Sequence, residues 1–157
     1  KRVIRALEFY KQTGEKISEH NEQEKAKDSP YDFCYFVLND DRNRLYDRIN
    51  LRIDQMLEEG LVSEVAFLKE KGYTKDMVSM QGLGYKEILD YLNGECSLEE
   101  AVYILKRDTR HFAKRQLTWF RRERDVIWID KNTHNYDEEK ILQTMLAHIR
   151  ERNIIHV

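Results

Sequence analysis

Between Lys106 and Arg124 eight Lys or Arg side chains stand against two acids, Asp108 and Glu123. At about 100° per residue on a helix, Arg107, Arg110, Lys114, Thr118 and Arg121 fall on one stripe. Leu105, Phe112, Gln116, Trp119 and Phe120 fall on the opposite side. The pattern predicts one face packed on a core and another presenting a rail of cations. Such a rail suits a phosphate backbone, because each neutralised phosphate releases counterions. The plain alternative is a solvated helix face with i,i+4 ion pairs, and the stripe holds few acids to supply them.

Two further groups could do chemistry. Gln81-Gly82-Leu83-Gly84-Tyr85-Lys86-Glu87 stands just before a predicted helix. Glycines let backbone approach a ligand closely, and a helix N-terminus favours anions. The spacing matches neither a dinucleotide fingerprint nor a P-loop, so a flexible turn around a packed Tyr85 is the competing reading. Arg44, Arg48 and Arg52 follow one another at i, i+4 and i+8, with Arg42 just before. Guanidinium groups bind phosphate oxygens bidentately, which would make a pyrophosphate clamp. Asp47 and Asp54 are placed to pair with them instead, as a surface ladder. The histidines (His20, His111, His134, His148, His156) show no metal-ligand spacing, and no nucleophile–base pair is evident. Trp119, Trp128 and the phenylalanines are expected in a core.

The elements that must position these groups can be read from apolar period and caps. A helix over Arg2–Lys11 carries Val3, Ile4, Leu7 and Tyr10 and closes at Thr13-Gly14. Residues 15–30 are polar, hold the only proline, and read as a long connection. Tyr31–Leu38 reads as a buried strand. Asn39-Asp40-Asp41 offers an N-cap for a helix over Arg42–Glu59, stopped by Gly60. A helix over Leu61–Lys71 stops at Gly72, and residues 74–80 read as irregular. A short helix covers Tyr85–Leu92. Ser97 with Glu100 forms a capping box opening the longest helix, to about Arg122. Val126–Ile129 is a second strand, and Tyr136–Glu151 a last amphipathic helix. Two short strands make no stable sheet alone, so they are expected to extend a larger sheet or to pair with another chain.

The bulk properties narrow the class. The 157 residues are 41% hydrophobic and 36% charged, with a net charge of −2, which fits a charge-rich helical protein. Cys34 and Cys96 form no C-x-x-C pair and read as reduced structural thiols of a cytoplasmic protein. No apolar run approaches the roughly 18 residues of a membrane span. The sequence opens at Lys1 inside a helical pattern, as a piece of a longer chain would.

Three segments also carry a family resemblance. They are Arg5-Ala6-Leu7-Glu8 with Thr13-Gly14 and Ile17-Ser18; Gln81 to Glu87 with Tyr91-Leu92-Asn93-Gly94-Glu95; and the run from Thr109 to Arg121. In order and spacing they resemble the tRNA dimethylallyltransferases (IPP transferase family). The resemblance implies an α/β enzyme with a P-loop-like core and a helical insertion, of which this sequence is the mostly helical C-terminal half with about two short strands. Residues 1–30 would end the insertion and its connection, and residues 31–157 would complete the core.

It implies transfer of dimethylallyl from dimethylallyl diphosphate to N6 of the adenine next to the anticodon, with Mg²⁺ assisting. The adenine would be flipped out of its loop, as chemistry on a stacked base requires. The implied tRNA-binding residues are Lys1, Arg2, Val3, Ile4 and Arg5; Gln81, Gly82, Leu83, Gly84, Tyr85 and Lys86; and Asp108, Thr109, Arg110, His111, Phe112, Ala113, Lys114 and Arg115. Arg48 and Arg52 fall on the diphosphate side. The implied partners are a tRNA anticodon stem-loop and dimethylallyl diphosphate, with no membrane, for a cytoplasmic monomer. The family's phosphate loop and its general-base aspartate have no counterpart here, so no catalytic residue and no metal ligand is assigned, and the piece alone is expected to be inactive. A zinc-finger extension is also missing, as in bacterial or organellar forms. The rival expectations are a prenyltransferase of free adenine nucleotides, a non-catalytic RNA-binding module, and a structural helical protein without a ligand.

Overall fold

The computed structural model describes residues 1–154, so His156 lies outside the described residues. Among the described residues seven α-helices and two strands follow one another: α1 (Arg2–Thr13), α2 (Ile17–Ala26), β1 (Tyr35–Asn39), α3 (Arg42–Glu58), α4 (Leu61–Glu70), α5 (Tyr85–Leu92), α6 (Leu98–Phe120), β2 (Val126–Asp130) and α7 (Glu138–Glu151). Short 3₁₀ turns cover Val78–Gln81, overlapping the end of the stretch expected to be irregular, and Asn132–His134.

The caps act where the side chains allow. Asp41 accepts the Asn43 and Arg44 amides and starts α3. Ser97 accepts the Glu100 amide and starts α6. Asp137 accepts two amides and starts α7. Gly14 takes the left-handed conformation that ends α1, with its N–H on the Tyr10 carbonyl.

The main core is helical. Ile53 of α3, Leu61 and Val65 of α4, Ile88 and Leu89 of α5 and Leu105 of α6 close around Met80. Burying such side chains contributes about 1.5–3 kcal/mol each, and this holds the helices in register. The strands form a second, thinner layer. They pair with each other in parallel, Tyr35 opposite Val126 through Asn39 opposite Asp130. Among the described residues each strand's partner is the other. Val37, Ile129 and Ile141 of α7 are the buried residues of this layer.

The connection expected over residues 15–30 is also corrected, because α2 occupies most of it. Its sequence has no apolar stripe, and none of its residues is buried. Local pairs stabilise it instead: Lys16 with Glu19 at 2.9 Å, Lys27 with Glu24, and Gln23 with Glu15 at 2.9 Å. The strand expected from Tyr31 begins only at Tyr35, and Tyr31 and Phe33 are exposed. No described helix is long and apolar enough to cross a membrane.

Candidate nucleic-acid interface

α6 is the spine of the site. Its first half packs inward through Ala101 and Leu105, both buried. Its second half leaves the helical core and turns Ala113, Leu117 and Phe120 toward its neighbours, with Phe120 edge-on to Tyr35 at 6.1 Å. The face expected to be apolar is thereby corrected. Phe112 is 44% exposed, Trp119 is 53% exposed, and Gln116 is exposed. A 23-residue helix outruns the core on which its first turns pack, so its inward face shifts along its length. Trp128 and Phe67 are exposed too, so the aromatic residues are not uniformly core.

The cations divide into tethered and free. Lys106 reaches Asp54 of α3 at 2.5 Å. Arg107 donates to Asp108 at 2.8 Å. Arg110, expected on the outward rail, is half-buried and donates to Asn50 at 2.8 Å, so it ties α6 to α3. Lys114, Arg115, Arg121 and Arg122 make no ion pair among the described residues. Lys114 and Arg121 line a cleft of about 200 Å³ with Thr118, Asn39, Asp40 and Arg42. The rail is therefore real at its C-terminal end and occupied at its N-terminal end.

Asp108 is the electrostatic hinge between the two motifs. It accepts the Arg107 hydrogen bond and faces Lys86 at 3.7 Å and His111 at 4.0 Å. The Arg107 hydrogen bond, with the nearby charges of Arg107, Lys86 and His111, holds its carboxyl below the usual range. The Lys86 contact brings the Gln81–Lys86 loop against the start of the Asp108–Arg115 segment. Two stretches singled out separately thus become neighbours, with Thr109 half-buried and His111 exposed beside them.

That loop is built rather than flexible. Gly84 sits at φ 102, a conformation that L side chains rarely adopt. Its amide donates to the Glu87 carboxylate at 2.8 Å. Glu87 is 3% exposed, and Lys86 lies 3.2 Å from its other oxygen. Tyr85 donates to Glu64 at 2.5 Å. That hydrogen bond and then burial push the Tyr85 phenol upward. Gln81 and Gly82 stay exposed at the tip, and Leu83 packs against the helical core.

The remaining expected residues lie apart from this pair. Lys1, Arg2, Val3, Ile4 and Arg5 are exposed on α1, whose chief neighbour is α2. Val3 and Ile4 show 71% and 59% of their surface, so the apolar stripe of α1 is outward. Arg48 and Arg52 are exposed on α3. The ladder with Asp54 is not formed, because Asp54 pairs with Lys106. Arg44 and Arg48 instead face Asp40, which sequence reasoning treated only as part of a cap. The available signal was a second acid directly after a strand, one residue before the capping Asp41. Among the described residues no three His, Cys, Asp or Glu groups converge as a metal site.

The sequence matches the IPP transferase family over residues 1–123. It is 62% identical over 155 residues to the tRNA dimethylallyltransferase of Lachnoclostridium phytofermentans, covering 99% of this chain and 49% of that protein. It is 55% identical over 141 residues to that of Acetivibrio thermocellus, covering 90% and 45%. The crystal structure of a tRNA delta(2)-isopentenylpyrophosphate transferase from Staphylococcus epidermidis superposes with a TM-score of 0.74 at 37% identity, over 96% of this chain and 48% of that one. A tRNA isopentenylpyrophosphate transferase from Bacillus halodurans gives 0.63 at 42%, over 83% and 46%. The chain spans about half the length of the curated relatives it matches. With a family match over most of its residues, high identity and a shared fold, the chain belongs to the IPP transferase family.

Proposed function

We propose that this chain forms the tRNA-gripping part of a tRNA dimethylallyltransferase, which moves a dimethylallyl group from its diphosphate to N6 of the adenine beside the anticodon. The observation that carries the reading is the set of unpaired cations on the outer half of α6, next to a loop that Asp108 and Glu87 hold rigid. Lys114, Arg115 and Arg121 neutralise backbone phosphates. Gln81 and Gly82, exposed at the loop tip, approach the anticodon loop, and Arg2 and Arg5 add contacts from α1.

In the transfer, the adenine N6 amine attacks the allylic carbon, that carbon's bond to oxygen breaks, pyrophosphate leaves, and the alkylated amine gives up one proton to a general base. Arg48 and Arg52 stabilise the charge that develops on the leaving diphosphate. Mg²⁺, which is held by one or two carboxylates and by substrate phosphates, would assist by neutralising charge on the diphosphate. The protein acts as a monomer in the cytoplasm.

An anticodon stem-loop RNA titrated against the protein tests the reading. Binding should weaken steeply with salt, and free adenine nucleotides should not compete. Salt-independent binding, or prenylation of free nucleotides as fast as of the stem-loop, would count against it.

A further inference from the structure

The two parallel strands end side by side, and ligands of open α/β sheets bind outside such carboxyl ends. A polar cluster sits there. Asp40 directly follows β1, and its side chain is 6% exposed. One of its oxygens accepts the Asp41 amide at 2.8 Å. The other, Oδ2, is buried and accepts no hydrogen bond among the described residues. Arg44 Nε lies 3.9 Å from that oxygen and Arg48 Nη1 lies 3.8 Å from it. Both arginine side chains keep over half of their surface exposed, at 52% and 61%.

A buried carboxylate oxygen left without a hydrogen bond is costly and needs a reason. Two guanidinium groups within 4 Å that do not close onto it are attracted without spending their N–H groups. Tyr136 completes the arrangement. Its ring lies under the Arg44 guanidinium at 3.6 Å. Burial, and then the Asp40 carboxylate, push its phenol upward. Asn135 and Tyr136 are both at positive φ, 51° and 59°, although neither is glycine. Such backbone costs about 1–3 kcal/mol per residue and persists only where surroundings over-determine it.

We infer that Arg44 is a further diphosphate-binding residue acting beside Arg48, and that Asp40 and Tyr136 are positioning residues that aim the pair. The inference rests on the proposed diphosphate role of Arg48 and extends it to a subsite. Asp40 holds the two cations at one height by charge, Tyr136 sets the plane of Arg44 by stacking, and the free N–H groups point to solvent at the sheet end. A bidentate guanidinium grips two phosphate oxygens, which Lys in its place would not reproduce. Arg52 forms no ion pair among the described residues and stands outside this cradle.

Steady-state transfer to an anticodon stem-loop, with the protein in the full length that its gene encodes, tests the inference. Dimethylallyl diphosphate is the varied substrate, and Arg48→Ala is the reference. Arg44→Ala should raise KM for the diphosphate on the order of tenfold, with kcat within about twofold and KM for RNA unchanged. Arg44→Lys should rescue only part of this. Asp40→Asn and Tyr136→Leu should raise the same KM less, and each should add little on top of Arg44→Ala, because they act through it.

If Arg48→Ala raises KM while Arg44→Ala does not, the inference is overturned and the reading of Arg48 stands. If neither changes KM, the underlying reading of the site fails. If Arg44→Ala behaves as expected but Tyr136→Leu and Asp40→Asn do not, the positioning role is overturned. Should Asp40→Asn fail to fold, the exposed Arg44 variants and Tyr136→Leu still decide.

Discussion

Neutralising the free end of the α6 rail should change the salt dependence of RNA binding by a calculable amount. The perturbation is the triple variant Lys114→Ala, Arg115→Ala, Arg121→Ala, whose side chains make no ion pair among the described residues. Each phosphate contact contributes about 0.7 to 0.9 to the slope of log K against log salt. If each residue meets one phosphate, three losses flatten the slope by about 2 to 2.7. Between about 50 and 200 mM salt, the wild type should lose about 20- to 40-fold more affinity than the variant over the same range.

The internal control is Lys106→Ala with Arg107→Ala. Lys106 is held by Asp54 at 2.5 Å and Arg107 by Asp108 at 2.8 Å. A cation already tethered to a carboxylate releases fewer counterions, so the control slope should move by well under one per residue. Fluorescence anisotropy of a labelled anticodon stem-loop across a salt series measures both. A triple variant with the wild-type slope, or a control that flattens it as much, would refute the division into free and tethered cations.

Three other outcomes are expected. Glu87→Ala strips the buried cap from the Gly84 amide and leaves that amide unpartnered. It should cost about 1–3 kcal/mol in urea unfolding, whereas an unchanged midpoint would show that the loop does not depend on Glu87. Asp108 has a folded-state pKa held below its unfolded value, chiefly by the Arg107 hydrogen bond. Its stabilisation is therefore fully present above about pH 4 and lost as pH falls through the folded value. Thermal unfolding at stepped pH should show wild type losing more stability than Asp108→Asn in that acid range, and parallel profiles would contradict the assignment. The 157 residues contain no Gly-rich phosphate loop followed by Lys and Ser/Thr, so the chain by itself should bind stem-loop RNA but transfer no dimethylallyl group. Measurable transfer by the purified chain would overturn that expectation.

Local chemistry was legible in the sequence wherever a few neighbouring residues suffice. Asp41, Ser97 and Gly14 mark helix ends because a cap needs only its own amides or a left-handed turn. Apolar period placed α3 through α7, since their buried faces repeat at helical spacing. The long run of motifs from Arg5 to Arg121 carried the family, because so many residue types in one order leave few alternatives.

What tertiary structure alone decided is where each charge ends up. Asp54 was equally placed to meet the α3 arginines, and only the approach of α6 gave it to Lys106. Arg110 lay on the same stripe as Lys114, yet packing against α3 spent it on Asn50. α2 formed without an apolar period, from local pairs that periodicity does not count. The Asp40, Arg44, Arg48 and Tyr136 cluster joins residues separated by nearly the whole of the helical core. Helices form by contacts a few residues apart, which a sequence spells out. Ion pairs and buried carboxylates depend on which surfaces meet, and that is settled only when the chain packs.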